Sequence, residues 1–144
     1  MANEPKTAGD VMTRNPRTAT PDTPVREAAQ LMRREDTGVL PVVDPNSKRP
    51  IGVITDRDLA LRVVAEGNLD ARVVDAMTPN AQTAREDDEL SKVMELMARE
   101  QVRRIPIVDA RGDLVGIISQ ADVVLQANEK HAEQTVAAIS RPGS

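Results

Sequence analysis

Phenylalanine, tyrosine and tryptophan are absent from this chain, and so is cysteine. Without aromatic rings nothing can stack on a flat ligand, which must be gripped by aliphatic walls and backbone groups instead. The aromatic platforms that hold single-stranded nucleic acid are missing for the same reason. The lack of cysteine excludes disulfides, zinc–thiolate centres and thiol nucleophiles, and it fits a cytoplasmic protein. One histidine, His131, is too few for a zinc hydrolase and has no obvious triad partners; it sits in a polar tail and is expected to be exposed and inert. Positive charge is not in excess: 19 Lys and Arg against 23 Asp and Glu leave a net charge of −4, which argues against a nucleic-acid partner. No apolar run approaches the roughly 20 residues of a membrane-spanning helix. The opening Met-Ala-Asn-Glu-Pro-Lys lacks the basic-then-apolar pattern of a secretory leader. Neither G-x-x-x-x-G-K-[ST] nor G-x-G-x-x-G occurs, so ATP hydrolysis and dinucleotide chemistry find no support.

What is present is a message written twice. Asp10 to Asp44 aligns without a gap on Asp75 to Asp109, and Ile51 to Arg62 aligns on Val115 to Gln126, with 18 identities in 47 positions. The shared residues fall into D-x-M-T-x-N (Asp10 and Asp75), L-M-x-R-E (Leu31 and Leu96), P-x-V-D (Pro41 and Pro106) and G-x-x-[ST]-x-x-D (Gly52 and Gly116). Two copies of one small unit, each short of a good core, are expected to pack together about a pseudo-twofold axis. A pocket at that seam would come in two related versions.

Each copy reads β-α-β-β-α. Arg17 to Thr20 is a short strand, followed by Thr23 as a helix cap and Pro24 at the first helical position. Val25, Ala28, Ala29 and Met32 then form one buried stripe. Val39 to Val43 is a strand whose Pro41 predicts an edge or a missing ladder bond. Asp44 to Ser47 is turn chemistry, and Ile51 to Thr55 is an antiparallel return strand. Asp56 to Glu66 is helical with Gly67 as its stop, and its apolar surface, running almost all round, calls for cover on more than one side. The second copy repeats the order: a strand at Gln82 to Arg85, a helix from Glu89 with Leu90, Val93, Met94 and Met97 inward, strands at Ile105 to Val108 and Val115 to Ile118, and a helix from Gln120 that can run to about Ile139. Met32, Met94 and Met97 are expected in the core. The expected division is an N-terminal segment 1–9, repeat one at 10–67, linker and repeat two at 68–128, and a polar helical tail at 129–144.

Chemistry is best sought where strand passes into helix, at Gly52 to Asp58 and Gly116 to Asp122. The glycine allows a ligand or another backbone to come close. Thr55 or Ser119 lies at the helix N-terminus, where free N–H groups suit a phosphate. Asp58 or Asp122, three residues on, can accept both hydroxyls of a ribose. Arg57 adds charge in the first copy only, since its counterpart is Ala121. The same [ST]-x-x-[DE] spacing is also a capping box, which needs no ligand at all. The acidic run Glu86 to Glu89 reads as a helix start matched to the dipole rather than a cation site.

The four ordered motifs, occurring twice, resemble a pair of cystathionine-β-synthase (CBS) domains, a Bateman module, over roughly residues 8–128. The resemblance implies an α+β fold of two β-α-β-β-α repeats, a disc-like module that commonly dimerises. It also implies a regulatory ligand: AMP, ADP, ATP or S-adenosylmethionine held in clefts between the repeats. By position, the ribose acids would be Asp58 and Asp122, beside Thr55 and Ser119. The Asp122 cleft would be completed by Thr23, Ala28, Thr37, Gly38 and Val39. The Asp58 cleft would use Arg57, Val102, Arg103 and Arg104. There Asp88 replaces Thr23 and Val93 replaces Ala28, so unequal clefts are expected. The function implied is a stand-alone, non-catalytic homodimer signalling to a partner protein in trans, with no metal, membrane or nucleic acid involved. The alternative is a ligand-free scaffold of the same fold.

Overall fold

Apolar residues at i, i+3 and i+7 and short apolar strands build each half, and the computed structural model describes residues 6–126. The chain begins with a one-turn helix α1 (Ala8–Val11) and a two-residue strand β1 (Thr13–Arg14). Helix α2 (Val25–Glu35), strands β2 (Val39–Val43) and β3 (Pro50–Thr55), and helix α3 follow; α3 starts at Asp56–Asp58 and continues as a π-helical stretch, Leu59–Val64. The second copy supplies α4 (Val73–Ala76), β4 (Thr78–Pro79), β5 (Ala84–Arg85), α5 (Leu90–Glu100), β6 (Arg104–Val108) and β7 (Leu114–Ser119). Helix α6 begins at 120 and is described as far as 126. The expected extension of this helix toward Ile139, and His131, lie outside the described residues.

Two sheets result, and neither belongs to one repeat alone. The first has the order β2-β3-β4 and the second β1-β7-β6-β5. Thus β1 of the first copy pairs antiparallel with β7 of the second, Thr13 opposite Ile117 and Arg14 opposite Gly116. Reciprocally, β4 of the second copy pairs with β3 of the first, Gly52 opposite Pro79 and Val53 opposite Thr78. The helical turns before these strands cross as well. Ala8 N donates to Asp88 O and Gly9 N to Glu86 O, each at 2.9 Å, while Val73 N donates to Thr23 O at 2.8 Å. The cores follow the same exchange. Ala71, Val73 and Ala76 join Val25, Met32, Leu40 and Ile54, whereas Ala8 and Met12 join Val93, Met97, Ile105 and Ile118.

The D-x-M-T-x-N motif is explained by this crossing. Asp10 Oδ2 accepts from Thr7 N at 2.9 Å, and Asp75 Oδ2 from Arg72 N at 3.0 Å, capping the two short helices. The Thr7 backbone N–H, helped by its hydroxyl, holds the Asp10 carboxyl below the usual carboxylate range. Asn15 and Asn80 turn the chain out of the borrowed strand with φ of 51° and 56°, a conformation asparagine tolerates. The glycine of G-x-x-[ST]-x-x-D admits the crossing backbone. A Cβ on Gly52 would strike the Thr78 carbonyl and lie 3.2 Å from Pro79 Cα; one on Gly116 would strike Met12 and lie 2.9 Å from Thr13 O. The close approach allowed for at these glycines is therefore made by protein, not ligand.

Several local expectations need correction. Helix α2 starts one residue late, because Pro24 is still extended (ψ 141°) and serves as the cap position. Thr23 instead accepts from Thr20 N at 3.0 Å through its hydroxyl. The strand expected at 17–20 shrinks to one parallel bridge, Ala19 with Val42. The Ala19 N–H reaches the Pro41 carbonyl at 3.0 Å, so the proton that Pro41 lacks would face this sparse edge of β2. Ala29 is exposed and Met94 is 47% exposed, so neither is core; both sit on the outer flank of their helix. On α3, Leu59 and Val63 pack inward while Leu61 and Val64, 52% and 65% exposed, face outward.

Because the glycines are spaces for a neighbouring strand, Gly52→Ala and Gly116→Ala are each expected to cost about 1–3 kcal/mol by overpacking. Urea unfolding followed by far-ultraviolet circular dichroism measures it, there being no aromatic fluorophore. Gly52→Ala should be the worse of the two, since its nearest obstacle is backbone, whereas at Gly116 the nearest is the movable Met12 side chain and the Thr13 carbonyl stands farther off, at 2.9 Å.

Candidate functional site

At the end of β3 and the end of β7 the chain turns directly into a helix, and both junctions are built alike. Thr55 Oγ1 accepts from Asp58 N and Asp58 Oδ2 accepts from Thr55 N, both at 3.0 Å. Ser119 and Asp122 exchange the same pair of bonds at 3.1 and 3.0 Å. Each acid therefore caps its own helix through one carboxylate oxygen, which leaves Oδ1 for other work.

The two Oδ1 atoms meet different surroundings. Asp58 Oδ1 lies 4.0 Å from Arg62 Nε, its side chain only 12% exposed. Arg62 also donates to the carbonyls of Ala76 and Met77 at 3.3 and 3.1 Å, tying α3 to the end of α4. In the second copy the place of Arg62 is taken by Gln126, and no ion pair forms at Asp122 among the described residues.

Asp122 and Ser119 open onto a cavity of about 520 Å³ between the halves, a size that suits a nucleoside or nucleotide. Its floor is one face of the second sheet. Strand pairing sets Thr13 opposite Ile117 and Arg104 opposite Ser119 there. Its far wall is the end of α2 and the loop into β2, from Glu35 to Leu40, and the crossing segment Asn15 to Arg17 closes the side. Val39, Leu40, Pro16 and Ile117 supply the aliphatic surface that a chain without aromatics must use. Thr37 holds the loop, its hydroxyl donating to Val39 O at 3.2 Å. Gly38 is needed for packing: a Cβ there would sit 2.7 Å from the Asp56 carboxylate. Across the wall, Arg17 Nε and Glu35 Oε1 form an ion pair of 2.9 Å.

Of the residues singled out in the sequence, this cavity gathers Thr37, Gly38, Val39, Arg104, Ser119 and Asp122. Ala28 is fully buried in the first core and cannot line it, and Thr23 is occupied in the turn before α2. Thr55, Arg57 and Asp58 stay together at the other junction, with Arg57 exposed. Val102, Arg103 and Arg104 do not form one wall. Arg104 lines the Asp122 cavity, whereas Val102 and Arg103 line a second hollow of about 510 Å³ between α5 and α6, with Met94, Gln101 and Gln120. Arg14, Asn15, Pro16, Arg17, Glu35 and Asp36 were not singled out. The available signal was divergence between the copies: Arg14 and Arg17 align with Pro79 and Gln82. The acidic run is spent on structure, with Asp88 accepting from Arg85 N at 2.9 Å and facing Lys92 at 3.5 Å. Among the described residues no cluster of His, Cys, Asp and Glu is arranged to hold a metal ion.

Comparison with known proteins agrees with this architecture. The family model described as CBS domain matches residues 8–65 and again 73–128. The CBS domain-containing protein YhcV of Bacillus subtilis is 35% identical over 132 residues, 91% of each chain. Protein MK0525 of Methanopyrus kandleri is 36% identical over 118 residues, 81% of this chain; the match spans 60% of that relative's length. Among solved structures, the CBS domain pair of MJ0100 in complex with 5′-methylthioadenosine and S-adenosyl-L-methionine superposes with a TM-score of 0.80 at 27% identity, covering 88% of this chain and 99% of that one. CBSX2 in complex with AMP, a protein of Arabidopsis thaliana, gives 0.75 at 30% identity, covering 86% and 97%. Two exchanged β-α-β-β-α halves with like-built strand-to-helix junctions, one of them opening on a cleft, matched twice by one family model, make this chain a member of the CBS-domain family: a tandem CBS pair.

Proposed function

We propose that the chain is a regulatory binding module, not an enzyme, and that it takes an adenosine-containing ligand (AMP, ADP, ATP or S-adenosylmethionine) in the cleft at Asp122. The observation that carries this reading is the Ser119–Asp122 pair facing a cavity of about 520 Å³ at a helix N-terminus, with one carboxylate oxygen uncommitted. Oδ1 of Asp122 accepts the ribose hydroxyls, Ser119 and the α6 N-terminus lie beside the ligand's polar groups, and Val39, Leu40 and Ile117 enclose the base. Thr55, Arg57 and Asp58 form the weaker site, because Arg62 already stands 4.0 Å from Asp58 Oδ1. AMP in CBSX2, and 5′-methylthioadenosine and S-adenosyl-L-methionine in MJ0100, support the ligand class.

The cleft wall contains the crossing segment 13–17, the link between the two halves, so a bound ligand touches both. Occupancy then biases their relative orientation by the difference in affinity for the two arrangements. The output goes to a partner protein in trans, in the cytoplasm where such nucleotides are plentiful. Leu61 and Val64 on α3 and Val124 and Leu125 on α6, all more than half exposed, support a homodimer that covers these helices. No helix of the described residues is long and apolar enough to cross a membrane. One observation favours a ligand-free scaffold instead: both hydroxyl–acid pairs already serve as helix caps.

Calorimetric unfolding with AMP, ADP, ATP and S-adenosylmethionine separates the two readings. A ligand at about 100 times its dissociation constant should add about 2.7 kcal/mol, an upward shift of several degrees. Asp122→Asn keeps an acceptor for the cap and should abolish most of the shift, whereas Asp58→Asn should leave it. If none of the four ligands raises the transition, the scaffold reading replaces this one.

A further inference from the structure

The electrostatics of the cleft carry an inference that rests on the adenosine-site reading and sharpens it. Glu35 is the last residue of α2, so its carboxylate sits at the negative end of that helix dipole, an unfavourable place for an anion. Asp36 follows in the left-handed conformation, φ 51°, adding a second acid to the same wall. Arg17 relieves this crowding through its 2.9 Å contact with Glu35, but the pair is held loosely, the two side chains being 70% and 37% exposed. Across the cavity Arg104 stands beside Ser119, and neither Arg104 nor Arg14 has an ion-pair partner among the described residues.

The repeat shows which of these charges the fold itself requires. Ser119, Asp122 and Glu35 recur in kind as Thr55, Asp58 and Glu100. The three arginines do not: positions 14, 17 and 104 correspond to Pro79, Gln82 and Val39. The hydroxyl–acid pair is common to both copies, as a cap must be, while the cations lining this cavity, two from the first copy and one from the second, have no basic counterpart in the other copy. A neutral nucleoside has no use for guanidinium groups, and a sulfonium centre is repelled by them. Phosphate matches their forked donors bidentately.

We propose that the Asp122 cleft selects phosphorylated adenosine ligands over sulfonium ones, and that Glu35 is an internal competitor which a ligand phosphate must displace from Arg17. Binding is thus an exchange of anions at one guanidinium. Removing the charge of Glu35 frees Arg17 for the ligand and lessens the repulsion between phosphate and wall.

Isothermal titration of the full chain with adenosine, AMP, ADP, ATP and S-adenosylmethionine tests this. Affinity should climb with phosphate number, and S-adenosylmethionine should bind more weakly than ATP. Glu35→Gln should tighten ATP about fivefold and leave adenosine unchanged. Arg17→Gln should weaken ATP, and in the Arg17→Gln/Glu35→Gln double variant most of the gain from Glu35→Gln should vanish. The sites are exposed, and thermal unfolding confirms that each variant folds. S-adenosylmethionine binding as tightly as ATP, or Glu35→Gln leaving ATP unaltered while adenosine still binds, overturns the selection mechanism and leaves the adenosine site standing. Failure of every adenosine ligand to bind removes both.

Discussion

Everything in this molecule depends on backbone passing through backbone. The first strand of each copy leaves its own half and completes the sheet of the other, and it can do so only because Gly116 and Gly52 offer no Cβ where it crosses. Four short hydrogen-bonded registers and two capped helical turns are a modest set of interactions. Their effect is large because each carries buried residues into the opposite core, Ala8 and Met12 one way, Val73 and Ala76 the other. Neither copy keeps a complete core of its own. The exchange explains how units of this size meet the surface-to-volume problem of small domains.

The cleft is a by-product of the same exchange. Once β1 lies beside β7, the chain must return from Arg14 to its own half, and residues 15–17 make that return along the edge of the cavity. The wall of the proposed ligand site is thus also the connection between the halves. A small molecule lodged there touches the sheet of one half and the helix end of the other, the geometry that a conformational signal requires. The hydroxyl–acid pair illustrates how one motif serves two ends: Oδ2 satisfies the helix start in both copies, and only the local partner of Oδ1 distinguishes them. Arg62 occupies that role at Asp58, and Gln126 leaves it open at Asp122.

Much of this was legible from the residues in order. The duplication predicted the pseudo-symmetric α+β fold, and the turn signal at Asp44 fell where the first hairpin turns, with Asn46 N donating to Asp44 Oδ1. Short apolar runs and helical periodicity located β2, β3, α2 and their counterparts within a residue or two. Less was legible where one residue decides a side. Arg103 and Arg104 look like one basic patch in sequence, yet Arg103 precedes β6 and lines the hollow between α5 and α6, and only Arg104, the first residue of the strand, reaches the cavity. Ala28 was carried into the cleft by the resemblance alone, and the buried stripe on which helical phase had already placed it proved to be its position.

Local chemistry, carried by neighbours along the chain, was set by the sequence alone: caps, turns, the glycines at each strand-to-helix junction, the absence of rings and thiols, and the repetition that demands two alike halves. Interactions within three or four residues need no knowledge of the rest of the molecule. Which half each short strand joins, which arginine meets which acid, and that Arg14 to Arg17 border a cleft with residues nearly a hundred positions away were decided only in three dimensions. Those facts follow from long-range backbone pairing, whose partners a linear pattern does not name.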